Sequence, residues 1–538
     1  MTRNAPAVGL LSVLILLLLV AVAGPPVEAA DGERRPEAPV RLRVLNINIF
    51  YGGDELNLTS GTWCNKPDGC PETLDKVVEA IRVADPDIVG LEEAERNTRV
   101  IGERLGMFYS ERMQVLSRYP LIDPPGGDSV YLFVALAPGR IAAIANVHLP
   151  ADPYGPYIAQ EGATPEEVRA LEVSLRLPAI RDQLRLLPPL AARGIPVFLM
   201  GDFNSPSHLD WTEAVAAVRP EVRYPFDWPV GRALADAGFR DSFRVVHPDP
   251  VAVPGFTWTP GGPESIADEV HDRIDWVLAT GPATALDSRI VGEVGGPDVS
   301  LAVDPYPTDH RGVVSTFDVV PAGSPVLVAV EERRRFTGDL LGVVFHAPGG
   351  AGERIAIVPA GGSAAAAVAS QPTGSGRPTD GRVVFATAGL APAAYEAALL
   401  DGRGQVLSRS PFWLYAPGTP TTVATSRSVY VVGETIGVSW AAAPGMRWDW
   451  LGIYKPGDSD TGNPNASDCN TYNCGGNGRY LLYEYTRATI EGTGSFSAAS
   501  FPGWLTWPLQ PGTYEIRLLL DDGYRSIASS APFQIVLP

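Results

Sequence analysis

Seven short apolar runs, separated by turn residues and helical patterns, constrain this chain more than any other feature: RLRVLNINI, DIVGLEE, VYLFVALA, IAAIANVHL, IPVFLMGDF, RIDWVLAT and GVVSTFDVV. Their length and β-branched content fit buried strands. Between them, PETLDKVVEAIRVA and TPEEVRALEVSLRLPAIRDQLRLLPPLAARG place apolar residues three and four apart, each opened by Pro with acidic residues in the first turn. Both therefore read as helical. Residues 41–321 are expected to form one mixed α/β domain.

Most of these runs begin or end on side chains that bind cations or move protons. RVLNINIF carries Asn46 and Asn48, DIVGLEEAERNT carries Glu92 and Glu93, and ANVHLP carries His148. MGDFNS supplies Asp202 and Asn204, HDRIDWV supplies Asp272 and Asp275, and YPTDHRGVV supplies Asp309 and His310. Charged side chains are seldom buried unless paired or bound to a metal, so their recurrence at strand ends points to one shared pocket. Each also has a plainer reading. Asp-x-Asn after a strand is a common turn, with Asn204, Ser205 or Ser207 available to cap a helix near Trp211. Glu93 alone would be a solvated acid, Asn48 a turn former and His148 a core histidine.

The words LNINIF, DIVGLEE, SRYPL, NVHL, GDFNS, RIDWVL and TDHRGVV run in the order found in the endonuclease/exonuclease/phosphatase superfamily, and residues 41 to about 320 resemble it. That group includes deoxyribonuclease I, exonuclease III, neutral sphingomyelinases and inositol polyphosphate phosphatases. The resemblance implies a four-layer fold, two packed β-sheets flanked by helices, with the site at one end. It implies Asn48, Glu93 and Asp309 as the metal neighbourhood, and Asp202 orienting or deprotonating the attacking water with Asn204 beside it. His310, held by Asp275, would carry charge or a proton next to the phosphate, and His148 would supply the second imidazole.

The chemistry accounts for those residue types. Phosphate ester hydrolysis needs a water held in line, neutralisation of an anionic transition state and stabilisation of the departing oxygen. Hard oxygen ligands without Cys select Mg²⁺, or Mn²⁺, over Zn²⁺. Two positions depart from the family pattern: Glu92 stands where Gln is usual, which adds a charge and can move the ligand assignment by one residue, and Thr308 replaces Ser. His208, His247, His271 and His346 match no family position and read as surface or structural. Glu172 and Arg176, one helical turn apart, read as an i,i+4 ion pair worth roughly 0.3–0.5 kcal/mol. Tyr154 and Tyr157 are candidates for lining a substrate groove.

Beyond residue 321 the composition shifts to Ala, Gly, Pro, Ser and Val, and the chain repeats itself. LAPAAYEAALLDGRGQVLSRSPFWL is answered by LQPGTYEIRLLLDDGYRSIASSAPFQI, and GDLLGVVFHAPGGAGERIAIVPAGG by GETIGVSWAAAPGMRWDWLGIYKPGD. Two all-β, immunoglobulin-like sandwich modules are expected, at 325–415 and 427–538, joined by APGTPTTVATS. The second contains Trp448, Trp450, Tyr454 and a loop with Asp458, Asp460 and Asp468 that fits no EF-hand spacing. Contact with a surface or polymer is the role open to these modules.

Arg3 ahead of an apolar run from Val8 to Ala23, with Val27 and Ala29 at a cleavable spacing, predicts a signal peptide over residues 1–29 and an extracellular protein. In that setting Cys64 with Cys70, and Cys469 with Cys474, are expected as two short disulfides. The formal net charge of −19 argues against broad nucleic-acid binding, which rests on Lys and Arg neutralising phosphates. The expectation is a secreted, monomeric, Mg²⁺-dependent phosphoesterase whose substrate is a lipid, nucleotide or nucleic-acid phosphate ester. An extracellular nuclease is the alternative within that class. A catalytically silent adhesion protein is the alternative outside it.

Overall fold

The computed structural model describes residues 39–538 except 65, 67, 68, 261–268, 459–475 and 504–506. The predicted signal peptide, the Cys469 and Cys474 pair, and Asp460 and Asp468 lie outside the described residues.

Two seven-stranded sheets form the first part of the molecule. In one, the strand Val40–Asn48 lies between Gly312–Val319 and Ile88–Glu92, and Ala283–Glu293 extends the sheet beyond Gly312–Val319. In the other, Val197–Asp202 lies between Asp275–Thr280 and Arg140–His148, with Leu132–Ala137 beyond. Alternation along each strand divides its side chains between two faces. Leu42, Val44, Ile144, Phe198, Met200 and Val277 meet in the core between the sheets. Leu45, Ile47, Val89 and Leu91 point the other way, onto Val77 and Ile81 of the helix Pro71–Ala84. Val197 and Leu199 pack outward onto Leu187 and Leu190 of the helix Arg181–Ala192. The layers are thus helix, sheet, sheet, helix, as the resemblance implied.

The close approach of the sheets has a local cause at Gly90. A Cβ there would lie 2.7 Å from Asn146 Oδ1 and 2.8 Å from Met200 Cγ of the facing sheet.

The long helical pattern after Thr164 resolves into two helices, Pro165–Ala179 and Arg181–Ala192, with Ile180 between them out of helical geometry. Thr164 and Glu167 close a capping box at the first N-terminus. The helix after Trp211, Glu213–Val218, is capped by Thr212 rather than by Asn204, Ser205 or Ser207. The predicted disulfide between Cys64 and Cys70 is present.

Past residue 323 come two blocks of strands with matching order. In the first, Leu327–Val330, Leu340–Ala347 and Thr379–Ala386 form a three-stranded sheet, facing a sheet in which Ala393–Leu400 lies between Val406–Tyr415 and Arg354–Pro359. In the second, Thr422–Thr425, Ile436–Ala441 and Gly492–Phe496 form the three-stranded sheet, and Gly512–Leu519 lies between Phe533–Val536 and Trp450–Tyr454. Thr422–Thr425 belongs to the second block, so the joint is shorter than the expected start at residue 427.

Candidate active site

The two sheets leave a polar mouth where their inward-facing rows end. Asp202 stands opposite Asp275 on one neighbouring strand and opposite His148 on the other, so register alone brings the three side chains to one row. In the facing sheet, Asn48 pairs with Glu92. Asn46, Asn48 and Glu92 continue the inward-facing row begun by Val44 and Ile88, and all three are fully buried.

Asp202 is the hub. Its Oδ1 accepts from the backbone N–H of Asn204 at 2.9 Å, and its Oδ2 accepts from Nδ2 of Asn48 at 3.1 Å. The same Oδ2 lies 3.6 Å from Nε2 of His148 and 3.7 Å from Nε2 of His310. Asn204 adopts φ +46, which turns its backbone N–H toward Asp202, and its own Nδ2 donates to the Leu149 carbonyl at 3.0 Å. Behind His310, Nδ1 meets Asp275 Oδ2 at 2.9 Å. Trp258 covers the His310 ring at 4.9 Å between centroids.

Glu93 occupies the other side of the mouth. It leaves the strand at φ +56, accepting from Asn48 Nδ2 at 3.1 Å and from the Tyr51 backbone N–H at 2.9 Å. Asn48 thus presents its NH₂ to both carboxylates; to ligate a cation through oxygen it would turn its amide over. Thr308, the replacement for Ser, donates to the Asn48 carbonyl at 2.8 Å and so ties the Asp309–His310 turn to this strand.

Electrostatics set these carboxyls apart from ordinary ones. Burial raises Asp202 to about 6, although His310 and His148 pull it down. Burial likewise raises Asp309 to about 7, with His310 opposing and Glu93 adding. Burial, and then Asp275 and Asp202, push Glu92 well above the usual range, and among the described residues neither Glu92 carboxylate oxygen has a hydrogen-bond partner. For His310, burial disfavours the cation, but Asp275 and Asp202 outweigh it and hold the ring protonated well above the usual histidine value.

His148 has a partner that strand-end reasoning missed. Its Nδ1 contacts Oδ2 of Asp522, which belongs to the second strand block. Burial opposes the charged ring, and Asp522, then Asp202 and Glu93, raise it to about 10. The signal available in the sequence was the doubled acid of LLLDDGYR, where the first copy reads ALLDGRG.

Of the sequence-predicted residues, Asn48, Glu93, His148, Asp202, Asn204, Asp275, Asp309 and His310 meet at this mouth. Tyr154 and Tyr157 are engaged elsewhere: Tyr154 is buried and donates to Asp272 at 3.3 Å, and Tyr157 donates to Glu269 at 2.9 Å. The Glu172–Arg176 ion pair forms at the expected i,i+4 spacing, but with both side chains 0% exposed. A cavity of about 660 Å³, lined by Phe108, Arg112, Asp123, Arg333, Arg335 and Met446 among others, holds none of the histidines. Arg112 and Arg333 there are both paired with Asp123.

Residues 47–310 match the model of the Endonuclease/Exonuclease/phosphatase family. Members of this family act as nucleases or phosphatases on phosphate esters. The matched stretch begins at Ile47, near the end of the first strand, and ends on His310, so it contains Asn48, Glu93, His148, Asp202, Asn204, Asp275, Asp309 and His310 and excludes Asp522. An uncharacterized protein of Caenorhabditis elegans is 29% identical over 306 residues, covering 52% of this chain and 92% of that one. Among solved structures, an endonuclease/exonuclease/phosphatase from Beutenbergia cavernae is 18% identical, covering 70% of this chain and 100% of that chain, at a TM-score of 0.32. A 3′ phosphatase from Neisseria, bound to a product DNA hairpin, is 17% identical, with coverage of 52% and 99% and a TM-score of 0.31.

Proposed function

We propose that this chain is a secreted, divalent-metal-dependent hydrolase of phosphate esters, in which a water is activated beside Asp202. The observation that carries the reading is the convergence of two carboxylate-backed imidazoles, His310 with Asp275 and His148 with Asp522, on one aspartate oxygen. An acceptor flanked by two cationic donors is the arrangement that water attack on an anionic phosphoryl group requires.

The residues fit a hard cation. Among the described residues, Glu92, Glu93, Asp202, Asp275 and Asp309 face two imidazoles, and both oxygens of Glu92 are buried without a hydrogen-bond partner. Uncompensated carboxylates at such depth are costly, and a divalent ion offsets that cost. Glu93 and Asp309, with Asn48 and with Glu92 adjacent, would hold Mg²⁺ or Mn²⁺. Atoms of Asp202, Asp275 and His310 also lie within 4.8 Å of one another. That trio is less suited to a hard ion, because Asp275 already accepts from His310. Bound at the carboxylates, the ion would supply neutralisation of phosphoryl charge.

The chain's own groups would do the rest. Asp202 would receive the proton of the attacking water, with Asn204 keeping its carboxylate oriented. His310 would carry its charge against a phosphoryl oxygen, its ring fixed by Asp275 and covered by Trp258. His148, on the other side of Asp202, would stabilise the leaving oxygen. Export is supported by the Cys64–Cys70 disulfide, which oxidising compartments favour. The two later strand blocks are read as copies of one immunoglobulin-like unit because their strand orders match.

Hydrolysis of bis-p-nitrophenyl phosphate and p-nitrophenyl phosphate is expected with Mg²⁺ and not with EDTA. Activity that survives EDTA, or none in folded protein supplied with Mg²⁺ and Mn²⁺, would overturn the reading. His310→Ala should lower kcat by about 10²–10⁴-fold, the usual contribution of a positioned acid–base group. A near wild-type rate would remove His310 from the mechanism.

A further inference from the structure

We infer that the second strand block completes the active site, with Asp522 as the positioning residue for His148. The inference rests on the phosphoesterase reading for its catalytic meaning, while the contact itself stands on geometry.

The two halves of the site are built alike. Asp275 grips Nδ1 of His310 and leaves Nε2 facing Asp202 Oδ2 at 3.7 Å. Asp522 grips Nδ1 of His148 and leaves Nε2 facing the same oxygen at 3.6 Å. A carboxylate on one ring nitrogen sets which nitrogen carries the proton and where the other points. For His310 that carboxylate lies within the family-matched stretch; for His148 it arrives from more than 200 residues beyond its end.

The loop that delivers Asp522 is held on every side. Its backbone N–H donates to the Trp448 carbonyl at 2.9 Å, and the N–H of Asp521 donates to Asp449 Oδ1 at 3.0 Å. Trp450 Nε1 donates to the Gly523 carbonyl at 3.0 Å. Gln114, from the first part of the molecule, donates to Asp521 Oδ1 at 2.9 Å. Asp521 and Asp522 sit at φ +49 and +65, in the left-handed region that Asp enters more readily than most side chains. At Gly523 a Cβ would stand 2.6 Å from Glu95 Cδ, so the loop lies against the Glu95 carboxyl, two residues beyond Glu93.

The first block provides the internal control. Its counterpart turn, Asp401-Gly402, folds on itself: Asp401 Oδ1 accepts from the backbone N–H of Arg403 at 2.9 Å and of Gln405 at 2.7 Å. In the second copy the Tyr-Glu and Asp-Gly pairs stand two residues further apart, and the longer turn carries its aspartate to His148. One turn of a repeated unit has been extended into a catalytic support.

The test uses the full-length chain with Mg²⁺ and bis-p-nitrophenyl phosphate. D522A and the isosteric D522N are expected to lower kcat by about 10- to 100-fold, the usual effect of losing a carboxylate behind a functional histidine. KM should stay within about threefold, and D522E should recover part of the rate. D401A should leave the rate unchanged. In an H148A background D522N should cause no further loss. Nitrogen NMR of ¹⁵N-histidine-labelled protein supplies a readout free of activity: the ring signal lost in H148A should shift in D522N. Turnover within twofold of wild type in D522N, a further loss in the H148A background, or an unmoved His148 signal would each overturn the inference. If the wild type hydrolyses nothing, the phosphoesterase reading fails while the NMR shift still decides the Asp522–His148 contact.

Discussion

Asp202→Asn is expected to remove at least about 10³-fold of turnover, a general base and its orienting charge being lost together, while making the metal-free protein more stable. The two effects have one cause. The Asp202 side chain is 1% exposed, and burial lifts its carboxyl to about 6, above the ordinary aspartate value. A carboxyl that titrates higher in the folded than in the unfolded chain opposes folding when ionised. The penalty is absent at pH values below the unfolded pKa of about 3.9, grows as pH rises, and is complete above about 6. In EDTA at pH 7.5, D202N should therefore unfold at higher denaturant than wild type, by roughly 1–3 kcal/mol. At pH 4 the difference should vanish. Added Mg²⁺ should stabilise wild type more than D202N, because a bound ion compensates the same charge. Equal stability at both pH values, or a D202N protein that still turns over, would contradict the role given to Asp202.

The seven strands and both helical patterns of the first part were legible because one buried face imposes a period of two or of 3.6, and those periods survive in the residues. Ala283–Glu293 was not among the seven, although it is the longest strand of that sheet. Its sequence, ATALDSRIVGE, puts Asp287 and Arg289 where a continuous apolar run was sought, and those two pair with each other at 2.7 Å on the surface. The site was legible for a different reason. Its side chains fall at strand ends in a fixed order, and strand register then aligns Asp202, Asp275 and His148 without further information. Asp522 was hidden because its contact with His148 spans 374 positions, and because a local reading of Asp-Gly is a turn. The extra acid at Glu92 left the ligand position open by one residue; alternation sends Glu92 inward to full burial and leaves Glu93, beyond the strand end, to face the mouth.

The Glu172–Arg176 pair carries the largest reversal in energetic expectation. Spacing alone made it an i,i+4 ion pair of a few tenths of a kcal/mol. In the structure both side chains are fully buried, Arg176 Nη1 donating to Glu172 Oε1 at 2.5 Å. Its Nη2 donates to the carbonyl of Ala151 and, at 2.9 Å, to that of Pro153, both in the segment that leaves His148. Arg176→Leu strands the Glu172 carboxylate and those carbonyls together. The expected cost is about 3–5 kcal/mol, as for other buried pairs broken on one side. In thermal unfolding that corresponds to a fall in Tm of about 10 °C for a unit of this size. Replacing both partners by leucine removes the charge left behind, so the double variant should be more stable than Arg176→Leu alone. A surface pair predicts the opposite ordering of sizes: each single change below about 0.5 kcal/mol, and no rescue in the double variant. A Tm drop under 2 °C for Arg176→Leu would return the pair to the surface and detach it from the loop behind His148.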